Sequence, residues 1–278
     1  MNPRISVSGL CFRPLPLPEL IEELQRLQVG TTTLLARDLQ EFGVDRAREL
    51  LETSGISVAG LIGDFPPNLA DPDTWESSRS ALIDALDIAV LLGTPLVYTV
   101  TGPLIDGDVR TSVDTFGRFI APVIAHADEV GVKFLLESTI RDYAYVSFVH
   151  SLDTALDLAR RCNTGICADL FHVWNDPDLM RVLHESIELV PLVQIGDCAV
   201  DSDGNVQKEI PGLGTVPLAD LIGKIVDAGY QGVFDLEIDG PLIDAVGSST
   251  AAERAVAFLD KTLSALPAAG DHGRLHQR

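Results

Sequence analysis

A single (β/α)8 TIM barrel of the α/β class is the fold this sequence predicts, and three observations predict it. Eight short apolar runs are bounded by Gly, Pro, Asn and Asp, and each is followed by a stretch whose apolar residues recur at helical spacing. The length of 278 residues suits one such barrel, which commonly runs to about 250 residues as one domain. A Gly-rich turn after the first strand would mark the competing doubly wound sheet, and Ser8-Gly9-Leu10-Cys11-Phe12 stands there instead.

Taken in order, 4–8 reads as the first strand and 18–28 as a helix opened by Pro18-Glu19. Residues 30–35 form the second strand, 45–54 the second helix and 56–62 the third strand. A Pro/Asn/Asp-rich loop over 65–73 precedes a long helix over 74–92, with Leu82, Ala85, Leu86, Ala89 and Val90 on one stripe and Gly93 ending it. The fourth strand is 95–100 and the fourth helix 113–130, followed by strand 132–137, helix 152–162, strand 165–169 and helix 176–188. Strand 192–196, helix 217–228, strand 232–237 and helix 250–265 complete the count. The barrel domain is thus expected over 1–267, with 268–278 as a disordered polar tail.

Composition narrows the function classes. Hydrophobic residues make up 46% and mean hydropathy is +0.21, enough for a large core. No apolar run approaches the roughly 20 residues that span a bilayer. Met1-Asn2-Pro3-Arg4 lacks a signal-peptide profile, and Cys11, Cys162, Cys167 and Cys198 show no CxxC spacing. Reduced thiols and a cytoplasmic setting are therefore expected. The net charge of -21, from 41 acids against 20 bases, repels phosphate backbones and anionic membranes. The expectation is a small-molecule substrate, no nucleic acid and no membrane.

Active residues of such a barrel lie at the C-terminal ends of its strands. The fifth strand ends in Glu137, the sixth in Asp169 and the eighth in Glu237, and the seventh holds Gln194. Any one of these alone reads as a solvated residue, a helix cap or a satisfied amide. On four consecutive strands they point together at one place. Converging carboxylates repel unless a cation sits among them. All-oxygen ligation with open positions suits Mn, Mg or another hard divalent ion better than a structural zinc. His172, three residues past Asp169, is the rim imidazole of interest, whereas His126, His150 and His184 read as structural or surface residues. Arg141-Asp142 offers either an anion contact or an exposed ion pair. Lys208 and the following Glu209-Ile210-Pro211-Gly212-Leu213-Gly214 offer an ammonium and backbone N–H groups to a substrate oxygen or phosphate.

From the third strand to the eighth these segments resemble the xylose-isomerase-like superfamily of sugar (phosphate) isomerases and epimerases. Leu135-Leu136-Glu137 looks like its first metal Glu, Asp169-Leu170-Phe171-His172 like its D-x-x-H, Pro211-Gly212-Leu213-Gly214 like its PG-x-G loop and Asp235-Leu236-Glu237 like its last metal Glu. Gln194 and Arg141-Asp142 are similar to hydroxypyruvate isomerases. Many ketose epimerases of the superfamily have His at the first of these positions. The loop before Pro211 departs in length and in carrying Lys208 where an Arg is usual.

The resemblance implies a divalent-metal-dependent isomerase or epimerase of a sugar, sugar phosphate or keto-sugar acid. Its metal ligands are Glu137, Asp169, Gln194 and Glu237, with manganese the first choice and magnesium, cobalt or zinc as alternatives. Glu137 and Glu237 form the catalytic acid/base pair, and His172, Lys208 and Arg141 contact the substrate. Proton removal beside a carbonyl gives an enediolate. Return to the same carbon epimerises, and return to its neighbour isomerises. Elimination of a β leaving group by the same base makes a lyase or dehydratase, including one that cleaves a keto-glycoside. A related DNA-repair barrel with three zincs is disfavoured by the acidic charge and the few strand-end His. A non-catalytic barrel subunit is disfavoured by the complete ligand set. Homo- or hetero-oligomers are common for such barrels.

Overall fold

A computed structural model describes residues 1–63, 66–201 and 203–266. The predicted tail at 268–278, together with residue 267, lies outside them. Eight parallel strands close into a barrel: β1 (Ile5–Ser8), β2 (Thr31–Leu35), β3 (Ser57–Ile62), β4 (Leu96–Thr99), β5 (Lys133–Glu137), β6 (Gly165–Asp169), β7 (Leu192–Ile195) and, after a hairpin of β8 (Asp197–Val200) and β9 (Val206–Glu209), β10 (Phe234–Leu236). Closure joins β10 to both β7 and β1. Phe234 N–H donates to Arg4 O, and the Arg4 guanidinium donates to the carbonyls of Tyr230 and Gly232 at 2.9 and 3.0 Å, tying the seam shut.

The outer layer holds α1 (Leu17–Arg26), α2 (Ala36–Phe42), α3 (Val44–Ser54), α4 (Trp75–Leu92), α5 (Val109–Val130), α6 (Leu152–Cys162), α7 (Leu170–Val173), α8 (Leu179–Glu185), α9 (Leu218–Asp227), α10 (Pro241–Val246) and α11 (Ser248–Ala265). Their apolar faces form one large buried cluster against the outside of the sheet. A second, smaller cluster of Leu96, Tyr98, Leu135, Cys167 and Leu192 fills the barrel interior. Side chains alternate across a strand. The period of two that sends Leu135, Cys167 and Leu192 inward therefore sends Glu137, Asp169 and Gln194 inward as well, one pleat nearer the C-terminal mouth.

Local chemistry sets the helix ends. Asp108 accepts from the N–H groups of Arg110 and Thr111 to start α5, and the Ser151 hydroxyl accepts from Thr154 N–H to start α6. Gly93, Gly131 and Asn163 end α4, α5 and α6 in the left-handed region. The sixth predicted helix, 176–188, begins later and ends sooner, as α8. Asp176 is instead spent on accepting from Leu152 and Asp178 N–H, both at 2.8 Å. The short helices α2, α7 and α10 and the β8–β9 hairpin stand between the predicted elements.

Candidate active site

The register brings the predicted strand-end residues together. Glu137 is the neighbour of Cys167, Asp169 of Gln194, and Gln194 of Asp235; Glu237 follows two residues on, just past β10. Lys208 reaches into this group from β9. Its Nζ lies 2.9 Å from Glu237 Oε1, 3.4 Å from Asp169 Oδ2 and 3.7 Å from Asp239 Oδ1, and 5.6 Å from the centre of the Phe171 ring. His172 faces the same acids, with Nε2 3.6 Å from Glu137 Oε1 and 3.7 Å from Asp169 Oδ2. Its Nδ1 accepts from Ile140 N–H at 3.3 Å, so Nε2 carries the ring proton. Tyr143 packs edge-on against the imidazole, 5.3 Å between ring centres. Arg141 lies in the adjacent 3-10 turn with its side chain exposed.

Asp169 divides its two oxygens. Oδ1 accepts from Phe171 N–H at 2.9 Å and caps α7, whereas Oδ2 is fully buried and has no hydrogen-bond partner. An oxygen met only by Lys208 Nζ at 3.4 Å and His172 Nε2 at 3.7 Å, beside Glu137 and His172 with ligand atoms within 4.8 Å of one another, fits a cation. Gln194 presents its amide the other way round from a ligand. Nε2 donates to Glu237 Oε2 and to the Tyr98 hydroxyl at 3.0 Å, and Oε1 accepts from the Cys167 thiol at 2.9 Å. An amide nitrogen cannot bind a metal, and only a turned amide would offer Oε1 to the acids.

The family profile described as xylose isomerase-like TIM barrel matches residues 19–262. The chain belongs to that family. A Streptomyces coelicolor protein carrying the provisional name of hydroxypyruvate isomerase is 28% identical over 212 residues, covering 70% of this chain and 73% of that protein. The crystal structure of protein SMc04130 from Sinorhizobium meliloti superimposes with a TM-score of 0.82 at 22% identity, covering 93% of this chain and 98% of that one. A D-psicose 3-epimerase from Clostridium cellulolyticum does so with a TM-score of 0.76 at 16% identity, covering 95% and 99%. At these identities the solved structures show a shared fold.

In this xylose isomerase-like barrel the electrostatics follow from burial. Burial raises the Glu137 carboxyl well above the usual range, Glu237 and Asp169 add to the rise, and Lys208 opposes it. Asp169 is raised by burial, with Lys208 and the Phe171 N–H pulling the other way. Burial alone would lower Lys208, yet Glu237, Asp169 and Asp239 outweigh it and hold the ammonium well above its ordinary range. Burial, reinforced by Lys208, lowers His172 to about 3, so the imidazole is neutral at physiological pH.

Three members of the site escaped the sequence reading. Tyr98 lies within the fourth predicted strand, Cys167 is among the thiols expected to be reduced, and Asp239 follows the eighth predicted strand; none of the three was assigned a role. A polar atom recurring at the inward period of two was the available signal for Tyr98 and Cys167.

Proposed function

We propose that the chain is a divalent-metal-dependent isomerase or epimerase of a small carbohydrate, with Glu237 and Glu137 as its base and acid. The observation that carries this reading is the arrangement around Asp169: a buried carboxylate oxygen on one strand end, with an acid from each side and one ammonium and one imidazole N–H facing the same space. Glu137, Asp169 and Glu237 would hold the ion, and the Gln194 amide, in the orientation it has here, would fix Glu237. Oxygen donors of this kind suit manganese or magnesium, and the ion would polarise a carbonyl and acidify the adjacent C–H.

The protein's own residues supply the remainder. Glu237, fixed by Lys208 on one oxygen and by Gln194 on the other, keeps a carboxylate aimed into the site and takes the proton. Glu137, facing it from the end of β5, returns one. His172 Nε2–H and the Lys208 ammonium donate to the oxygens on which charge develops. Around this space stand the carboxylates of Glu137, Asp169, Glu237 and Asp239 and a single ammonium, which favours an uncharged ketose over an anionic substrate.

Purified protein treated with EDTA should lose activity on a ketose panel and regain it with Mn or Mg, and Glu237→Gln should fold normally and be inactive. Full activity in either case refutes the reading. Solvent deuterium should enter the sugar without loss of a leaving group; elimination instead would identify a lyase.

A further inference from the structure

The mechanism needs Lys208 at a fixed point, yet Lys208 is not on the barrel wall. It sits on β9, opposite Cys198 in an antiparallel hairpin of two four-residue strands. Hairpins of two strands are marginal on their own. Something must hold this one against the mouth.

Asp197, the first residue of β8, is fully buried, and its carboxylate collects four backbone N–H groups. Oδ1 accepts from Cys198 and Val216 at 2.8 and 2.9 Å, and Oδ2 from Gly212 and Gly214 at 2.8 and 3.0 Å. Three of the four donors belong to the segment that follows Lys208. The glycines are what allow this approach. Gly212 has φ +89°, and a Cβ on Gly214 would lie 2.3 Å from Asp197 Oδ1 and 2.5 Å from Cys198 O. Thr215 completes the closure, donating from both N–H and Oγ1 to Cys198 O at 2.8 and 3.0 Å.

We propose that Asp197 is the positioning residue for Lys208: by binding the loop over 210–216 to the start of β8, it seats the hairpin so that the ammonium enters the acid cluster. The PG-x-G sequence then serves as the receptor for a carboxylate of the chain itself. The catalytic meaning of this placement rests on the proposed function; the placement does not.

A readout independent of any substrate is available. The chain has four lysines, Lys133, Lys208, Lys224 and Lys261, of which only Lys208 is buried. Brief acetylation followed by peptide mass spectrometry should find Lys208 at least about tenfold slower than the other three. Asp197→Asn replaces one oxygen by an amide that cannot accept from two N–H groups, and Gly214→Ala breaks the same clamp from the opposite side. Both should raise the Lys208 rate toward that of Lys224 and leave the other three rates and the far-UV spectrum unchanged. Asp201→Ala, at the hairpin tip, should leave Lys208 protected.

Protection of Lys208 in both clamp variants overturns the proposal, as does general exposure of all four lysines, which would make Asp197 a determinant of the whole fold. If a ketose is turned over, Asp197→Asn combined with Lys208→Met should be no slower than Lys208→Met alone. Independent, multiplying losses would count against action through Lys208. Failure to find a ketose substrate would remove the proposed function and leave the labelling result standing.

Discussion

Glu237 has no freedom left in its carboxylate, because Lys208 holds Oε1 and Gln194 holds Oε2. Gln194 is in turn fixed by Cys167 and Tyr98. Tyr98→Phe removes one of the two acceptors of Gln194 Nε2, and the amide gains room to turn. The expected cost is about 1 kcal/mol in stability. Turnover should fall roughly tenfold, equivalent to about 1.4 kcal/mol at the barrier, as checked by thermal melts and steady-state kinetics on the same preparation. At this scale the sequence spoke clearly where a residue was out of place. Glu137, Asp169 and Glu237 are carboxylates closing apolar runs, and no core explains them. Tyr98 and Cys167 gave no such signal, since a strand tolerates both, and the direction of the Gln194 amide depends on neighbours 96 and 27 residues away.

Elements whose ends carry strong caps were legible, and those built from tertiary contacts were not. Helix α6, with Ser151 before it and Asn163 after it, was bounded correctly from sequence alone. In α5 the prediction started too late, because the capping signal of Asp108 preceded the first apolar residues of the stripe. Replacing that cap, Asp108→Ala, should destabilise the start of α5. A lower melting temperature follows, measurable by scanning calorimetry. The β8–β9 hairpin lacks both hydrophobic alternation and length. What seats it is the buried Asp197, whose partners lie 15, 17 and 19 residues downstream as well as next to it. No local pattern reports such a partner set. The four-residue α7 escaped for a related reason: it exists because Asp169 caps it.

For the whole molecule, charge is the leading variable. Asp235 lies inside the barrel, accepting from Ser6 and Thr33 hydroxyls at 2.6 and 2.8 Å; burial pushes its carboxyl up to about 7, and those hydroxyls moderate the rise. The folded chain therefore keeps a proton that the unfolded chain releases near pH 4. Stability from this residue falls as pH rises from about 4 to about 7 and is level on either side. Asp235→Asn should raise the melting temperature at pH 8 by on the order of 5 °C and leave it unchanged at pH 4, with EDTA present throughout. Glu137 and Asp169 shift in the same direction, so a shallower slope should survive the substitution. The acid-lined mouth carries a second expectation. Across matched ketoses, phosphorylation should reduce kcat/KM at least tenfold, and added salt should narrow the gap by screening. Equal rates would show that a cation such as Arg141 swings in to pay for the phosphate. Among the described residues no helix is long and apolar enough to cross a membrane, in line with the composition.

The divided carboxylate of Asp169 has a practical consequence for anyone scanning this barrel by mutagenesis. One oxygen anchors the α7 turn that carries His172, and the other faces the candidate site. Asp169→Ala would therefore delete two things at once, an anion and the footing of a neighbouring imidazole, and its inactivity would be uninterpretable. Asp169→Asn parts them, because an amide oxygen still accepts from Phe171 while the charge is gone. The ratio between the two variants measures how far this side chain is mortar and how far it is tool.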